Sequence, residues 1–270
     1  MILREGLGFN YLSQQDQQAY KGLLNAFSLT ASSIDCSRLN RNLNFMKIIQ
    51  TVLGDNPSII YFNKTQIETE ESFLGKIIFL KEVQSKPQTN KMLSSLETKA
   101  ENIISSIKSN TSDEYSLLIN LYHYLQKNIK YDKEEIQANI KGICKFPDSH
   151  NAYGALINGK AVCDGFSSAF TFLAKKLDFN CMMAIGNSAY SSTSFTSHAW
   201  NIIKVKDKYY HMDITWDART FEEYGEYSYQ YFANNDSDIS NTHRWDKKTT
   251  PICSYSDLSY YRKNGIFIND

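Results

Sequence analysis

The chain has 270 residues, with 29 Lys plus Arg against 29 Asp plus Glu, so its formal net charge is zero. That balance removes any global attraction to nucleic acid or to an anionic membrane surface. A content of 42% hydrophobic and 21% charged residues excludes disordered, collagenous and coiled-coil classes.

The opening, Met1-Ile2-Leu3-Arg4-Glu5-Gly6, lacks the apolar region of a signal peptide. No run of about 18 apolar residues occurs anywhere, so no membrane span is expected. The expected location is the cytoplasm, or outside the cell where a leader has been removed. In chain order, Ser13 caps a helix running to about Phe27. Leu43, Met46, Ile49, Val52 and Leu53 recur at helical spacing up to Gly54. Ser58–Phe62 and Lys76–Leu80 read as strands, being short and rich in β-branched and aromatic residues. Ser85-Lys86-Pro87-Gln88-Thr89 reads as a linker. Residues 1–89 are thus expected to form a helical and β extension, and residues 90–270 a core.

Beyond the linker, Leu93, Leu96, Ala100, Ile103, Ile104 and Ile107 mark an amphipathic helix. Asn110–Asp113 closes it and opens a second helix, with Tyr115, Leu118, Ile119, Tyr122, Leu125 and Ile129 on one stripe. Residues 132–149 are polar, with Gly142 and Pro147, and read as a loop with one helical turn. After the turn at Asn158-Gly159, a helix is expected from Cys163 to about Leu177, then a strand at Met182–Ile185 and a loop at Asn187–Ser197. Two strands close the segment, His198–Val205 and Lys208–Trp216, joined by a tight turn at Lys206-Asp207.

Five cysteines are present, an odd number, and no CxxC pair occurs. That argues against a zinc-ribbon pattern and leaves at least one thiol without an intramolecular disulfide. A cysteine in the first turn of a helix is a special case. Unpaired N–H groups and the helix dipole favour its thiolate, and so a nucleophile. Taken alone, Cys163 is more often just a small hydrophobe. A nucleophile needs a base, and the base needs an orienting group. If Lys206-Asp207 is a two-residue hairpin loop, Val205 pairs with Lys208 and His198 faces Thr215. Asp213 is then the diagonal neighbour of His198 on the same face, close enough for a hydrogen bond. A one-residue slip would put the two on opposite faces.

The segment Tyr153-Gly154-Ala155-Leu156-Ile157-Asn158-Gly159-Lys160-Ala161-Val162-Cys163-Asp164-Gly165-Phe166 resembles the nucleophile segment of bacterial transglutaminase-like proteins. His198-Ala199-Trp200-Asn201 resembles that superfamily's histidine motif. Tyr209-Tyr210-His211-Met212-Asp213-Ile214-Thr215-Trp216-Asp217 resembles its aspartate motif. The helix motif Tyr122-His123-Tyr124-Leu125, and the stretch from Tyr231 to His243, are similar to what flanks this core. The resemblance covers about residues 112–245. It implies an α+β, papain-like transglutaminase core, in which a Cys-bearing helix packs on an antiparallel sheet carrying His and Asp. It also implies acyl transfer or hydrolysis at amide bonds of a peptide or protein substrate, with no cofactor and no metal. Cys163 would be the nucleophile, His198 the general base and acid, and Asp213 the orienter. The sequence departs from the pattern where Ala218-Arg219 follows Asp217 and where Phe166-Ser167 replaces a Tyr-Ala type pair. The alternative function is a binding or scaffold module that keeps the fold with little or no catalysis.

The backbone N–H of Cys163 is the first candidate oxyanion donor. Tyr153 and Asn158 are further candidates, although Asn158-Gly159 also reads as simple turn chemistry. Trp200 and Trp216 are expected in the core or in a cleft wall. The run Tyr224, Tyr227, Tyr229, Tyr231 fits either a peptide groove or alternating strand packing. His123 and His211 read as structural, and neither His150 nor His243 has a metal-ligand spacing to a neighbour.

Overall fold

The computed structural model describes residues 3–36, 43–72, 75–109, 111–189 and 194–258. Helix α1 (Gln14–Ser28) begins where Ser13 accepts a hydrogen bond from the Asp16 N–H at 3.2 Å. Helix α2 (Phe45–Asp55) runs one residue past Gly54 and buries Phe45, Ile48, Ile49, Val52 and Leu53. Strands β1 (Ser33–Asp35), β2 (Phe62–Ser72) and β3 (Gly75–Glu82) form an antiparallel sheet in the order β1-β3-β2. The two helices and this sheet share one core, in which the rings of Phe27 and Phe62 stack at 5.5 Å. The strand expected at Ser58–Phe62 begins only at Phe62. Residues 59–61 are buried but irregular.

No linker exists at Ser85–Thr89. Helix α3 (Lys86–Lys108) has already begun, with Pro87 in its first turn, where a missing N–H costs nothing. Helix α4 (Glu114–Asn128) starts where Asp113 accepts from the Ser116 N–H at 2.9 Å. Strands β4 (Lys130–Tyr131) and β5 (Lys160–Ala161) pair in parallel. Between them, where a loop with one helical turn is expected, lies the two-turn helix α5 (Lys133–Ile140), capped by Asp132 on the Glu135 N–H.

The cysteine helix α6 (Cys163–Lys176) is buried continuously from Gly165 to Ala174. It packs on an antiparallel sheet of β6 (Asn180–Ser188), β7 (Thr196–Val205), β8 (Lys208–Met212) and β9 (His243–Trp245), in the order β8-β7-β6-β9. The β7–β8 register is the expected one, with Val205 opposite Lys208 and Asn201 opposite Met212. Two strand ends differ. Strand β6 continues to Ser188 and β7 opens at Thr196, shortening the expected Asn187–Ser197 loop, part of which lies outside the described residues. Strand β8 stops at Met212 instead of reaching Trp216. Asp213 ends it by capping helix α7 (Ile214–Tyr224), accepting from the Thr215 and Trp216 N–H groups. Thr215 therefore never pairs with His198. A short helix α8 (Asp236–Ile239) precedes β9.

Several contacts tie the N-terminal elements to this core, among them a Lys47–Asp246 ion pair at 3.7 Å. A Cβ at Gly54 would lie 2.8 Å from the Met183 Cβ, so α2 approaches β6 as closely as a bare backbone allows. The Lys175 ammonium on α6 donates to the Asp55 carbonyl. Among the described residues, no helix is long and apolar enough to cross a membrane.

Candidate active site

Three elements bring Cys163, His198 and Asp213 together. Cys163 is the first residue of α6, half-buried, and preceded by Val162 in extended conformation. Its depth is set by the turn at Pro147–His150, which packs under the helix start. The Val162 N–H donates to the Ser149 carbonyl at 3.0 Å. A Cβ on Gly165 would lie 2.2 Å from that same carbonyl oxygen, so residue 165 must be glycine for the turn to seat.

His198 lies on β7 opposite Gly186, almost fully buried. Its Nε2 faces Asp213 Oδ2 at 2.7 Å, which leaves Nδ1 for the cavity that Cys163 also borders. Burial alone would lower the imidazole's proton affinity. The Asp213 charge and hydrogen bond, with the Cys163 side chain, instead raise its pKa to about 10. Asp213 is fully buried at the junction of β8 and α7. Burial would raise its carboxyl, but the His198 charge and hydrogen bonds from His198 and His243 hold it well below the usual carboxylate range.

His243 is the site residue that sequence reasoning missed. It lies on β9, fully buried, and its Nε2 is 3.0 Å from Asp213 Oδ2. Its Nδ1 is 2.8 Å from Thr242 Oγ1, and because the ionised Asp213 carboxylate only accepts, Nε2 carries the proton donated to it. Asp213 Oδ2 thus accepts from two imidazoles while Oδ1 caps α7. No local signal reveals this, because β9 reaches the site only by pairing with β6.

Around these groups the packing is tight. Trp200 and Trp216 lie 6.1 and 5.8 Å from the His198 ring, the first fully buried behind it. Asn201 Nδ2 donates to the Ser167 carbonyl at 3.1 Å and to Thr171 Oγ1 at 3.0 Å, locking the histidine strand to the cysteine helix. On the far side, Tyr122 of α4 donates to Asp217 at 2.6 Å and to the Asp213 carbonyl at 3.3 Å. Burial raises the Asp217 carboxyl to about 7, although Ser228, Tyr122 and the Tyr231 N–H all donate to it.

Cys163 and His198 open on a cavity of about 260 Å³. Its walls come from α2, β2, β6 and the start of α6. Neither Tyr153 nor Asn158 borders it. Asn158 is exposed and lines a separate hollow with Asp132 and Lys160. The tyrosine run lies in no strand. Tyr224 is exposed on α7, Tyr229 and Tyr231 are buried, and none of the four lines the cavity. His123 stacks on Tyr227 at 4.1 Å and hydrogen-bonds Tyr229, and burial lowers it to about 4. His211 is held between the Trp200 Nε1–H at 2.9 Å and Asp236 at 2.9 Å.

His150 sits in the cavity wall. Its Nδ1 is 3.0 Å from Asp164 and its Nε2 is 3.2 Å from the fully buried Glu135. Burial would lower this ring too, but the two carboxylates raise it to about 9. Among the described residues, three sets of ligand-type atoms lie within 4.8 Å of one another: Glu135, Cys144 and His150; His198, Asp213 and His243; His211, Asp236 and Cys253. Hydrogen bonds within each set already account for the grouping. These sets are spatial and invisible as sequence spacings.

The raised imidazoles have a consequence for stability. A group whose pKa rises on folding stabilises the native state fully below its unfolded pKa, here about 6.5, and that contribution disappears as pH climbs through the folded value. Urea unfolding is expected to show stability falling between about pH 7 and pH 10. In His198→Gln the fall should be shallower, by up to about 1.4 kcal/mol per pH unit for one proton. Identical slopes in the two proteins would contradict the buried His198–Asp213 pair as its source.

Residues 101–214 match the family model of the transglutaminase-like superfamily core. No curated protein matches the chain. Among solved structures, one similar chain is described as a TGase, with 15% identity and a TM-score of 0.43 over 56% of this chain and 44% of that one. Another, from Cytophaga hutchinsonii, is described as a candidate cysteine protease, with 12% identity and a TM-score of 0.35 over 56% of this chain and 61% of that one. The chain spans less than two thirds of the length of either. The matched residues 101–214 hold Cys163, His198 and Asp213 on an α+β scaffold and are similar to the transglutaminase-like superfamily core.

Proposed function

We propose that this protein is a cysteine-dependent acyltransferase or hydrolase acting on amide bonds of peptides or protein side chains. The observation that carries the reading is His198. Its ring lies between a buried carboxylate at 2.7 Å and a half-buried cysteine at a helix start, beside an open cavity. Asp213 favours the protonated form of the His198 ring beside Cys163. Cys163 Sγ attacks the carbonyl carbon, forming a C–S bond, and the carbonyl π electrons move to oxygen. The Cys163 backbone N–H, at a helix start where such groups lack intrahelical partners, stabilises that oxyanion. His198 then gives its proton to the departing nitrogen, the C–N bond breaks, and a thioester remains on Cys163. Attack by water, with His198 taking its proton, releases an acid. Attack by an amine gives a new amide instead.

Asp213 and His243 act as positioning residues here. Asp213 fixes the tautomer and tilt of His198, and His243 fixes Asp213. The direct test is acylation by p-nitrophenyl acetate. A rapid release of one p-nitrophenol per chain, with an acetyl group mapped to Cys163, is the expected result. Release without acetyl on Cys163 would contradict it.

A further inference from the structure

We propose that the N-terminal segment 45–67 builds a specificity pocket selecting acyl donors that carry a large aliphatic side chain, such as Leu, Ile or Met, beside the reacting carbonyl; this rests on the reading of Cys163 as the nucleophile. The cavity at Cys163 is not made by the core alone. Helix α2 supplies Met46, Ile49 and Leu53, strand β2 supplies Ile67, and β6 supplies Met183 and Ile185 from the opposite side. Cys163 and His198 border the same space, so whatever occupies it adjoins the reacting atoms. Its volume of about 260 Å³ is slightly under the roughly 300–1,000 Å³ usual for small-molecule sites, which suits one side chain with its adjoining backbone.

Two charged groups in the wall are committed. His150 is bonded to both Asp164 and Glu135. Lys64 of β2 also borders the cavity, and burial lowers its proton affinity, which disfavours a positive charge there. A charged substrate side chain would lose water against a mostly apolar wall, which is unfavourable. An aliphatic side chain meets apolar surface from three elements and loses nothing. Part of that surface is open in the free protein, since Met46 keeps 39% of its area exposed and Ile67 is half-buried.

The test uses acetyl-aminoacyl chloromethyl ketones bearing Leu, Asp or Lys. Each forms a C–S bond with a thiolate and expels chloride. The labelling rate is read by peptide mapping of Cys163 in the full chain. The expected result is that the Leu reagent labels Cys163 at least about 10-fold faster than the Asp or Lys reagents, the usual scale for an apolar pocket. Met46→Asp and Ile67→Asp, both at incompletely buried positions, should each lower the Leu-to-Asp rate ratio at least about threefold. Equal rates for the three reagents, with Cys163 still the labelled residue, would overturn the pocket and leave the nucleophile standing. A ratio unchanged in both variants would overturn the assignment to segment 45–67. Failure of all three reagents to label Cys163 while another thiol reacts would overturn the nucleophile and the pocket together.

Discussion

Cys163→Ser and His198→Ala are each expected to slow acylation by p-nitrophenyl acetate at least about 10³-fold while leaving the fold intact. The size follows from how the site is built. His198 is the only ring that adjoins both the thiol and a buried carboxylate among the described residues. Removing it leaves Cys163 with no base at hydrogen-bond range, and removing the thiol leaves the base with nothing to activate. Because the two act as one unit, the double variant should be little worse than either single one. Asp213→Asn should slow acylation less. Its Oδ1 can keep capping α7 through the Thr215 N–H, but its new amide group meets two imidazole donors where Oδ2 now accepts both. Acylation rates for the four proteins, with near-UV dichroism to verify folding, check the series. Retention of more than about a tenth of the rate in Cys163→Ser or His198→Ala would remove the mechanism.

The second large effect is steric. Gly165→Ala is expected to destabilise the protein by about 3 kcal/mol or more, as measured by urea unfolding, and to abolish acylation. The added Cβ would sit 2.2 Å from the Ser149 carbonyl oxygen and 2.9 Å from the Ala161 Cβ. Neither neighbour can yield cheaply. The Ser149 carbonyl accepts the Val162 N–H, and Ser149 Oγ donates to the buried Asp132 at 2.7 Å. To fit the methyl group, the turn at residues 147–150 must leave the start of α6. That movement carries Cys163 away from His198. A stability change under about 1 kcal/mol would contradict the described approach of turn and helix.

Much of this site is legible locally. The β7–β8 register follows from a two-residue turn at Lys206-Asp207, and it brings His198 to the end of the sheet where Asp213 emerges. The cysteine helix is announced by its apolar stripe, the Ser13 N-cap is read from residue type alone, and the polar run ending at Asp113 marks the start of α4. The failures have physical causes. The aromatic and β-branched run Tyr209–Trp216 suits a strand throughout, yet Asp213 offers its carboxylate to the next N–H groups and turns the chain into a helix. Helix α5 has a single buried residue, Glu135, so no apolar stripe betrays it, and only the Asp132-to-Glu135 spacing marks its start. Pro87 looks like a chain breaker but is in fact a helix opener. His243 and the cavity walls of α2 and β2 depend on contacts between residues 30 or more positions apart, which no local pattern encodes.

The most direct measurement is alkylation by iodoacetamide at pH 6, with all five cysteines followed by peptide mapping. Burial pushes the Cys36 and Cys181 thiols up to about 11 and raises Cys144 and Cys253 as well, so these four should be nearly inert. Cys163 is expected to react at least about 10-fold faster than Cys144, the other half-buried thiol, and to lose that advantage in His198→Ala. If Cys163 reacts no faster than Cys144, or keeps its rate without His198, then sulfur and imidazole do not work as a pair and the account is contradicted.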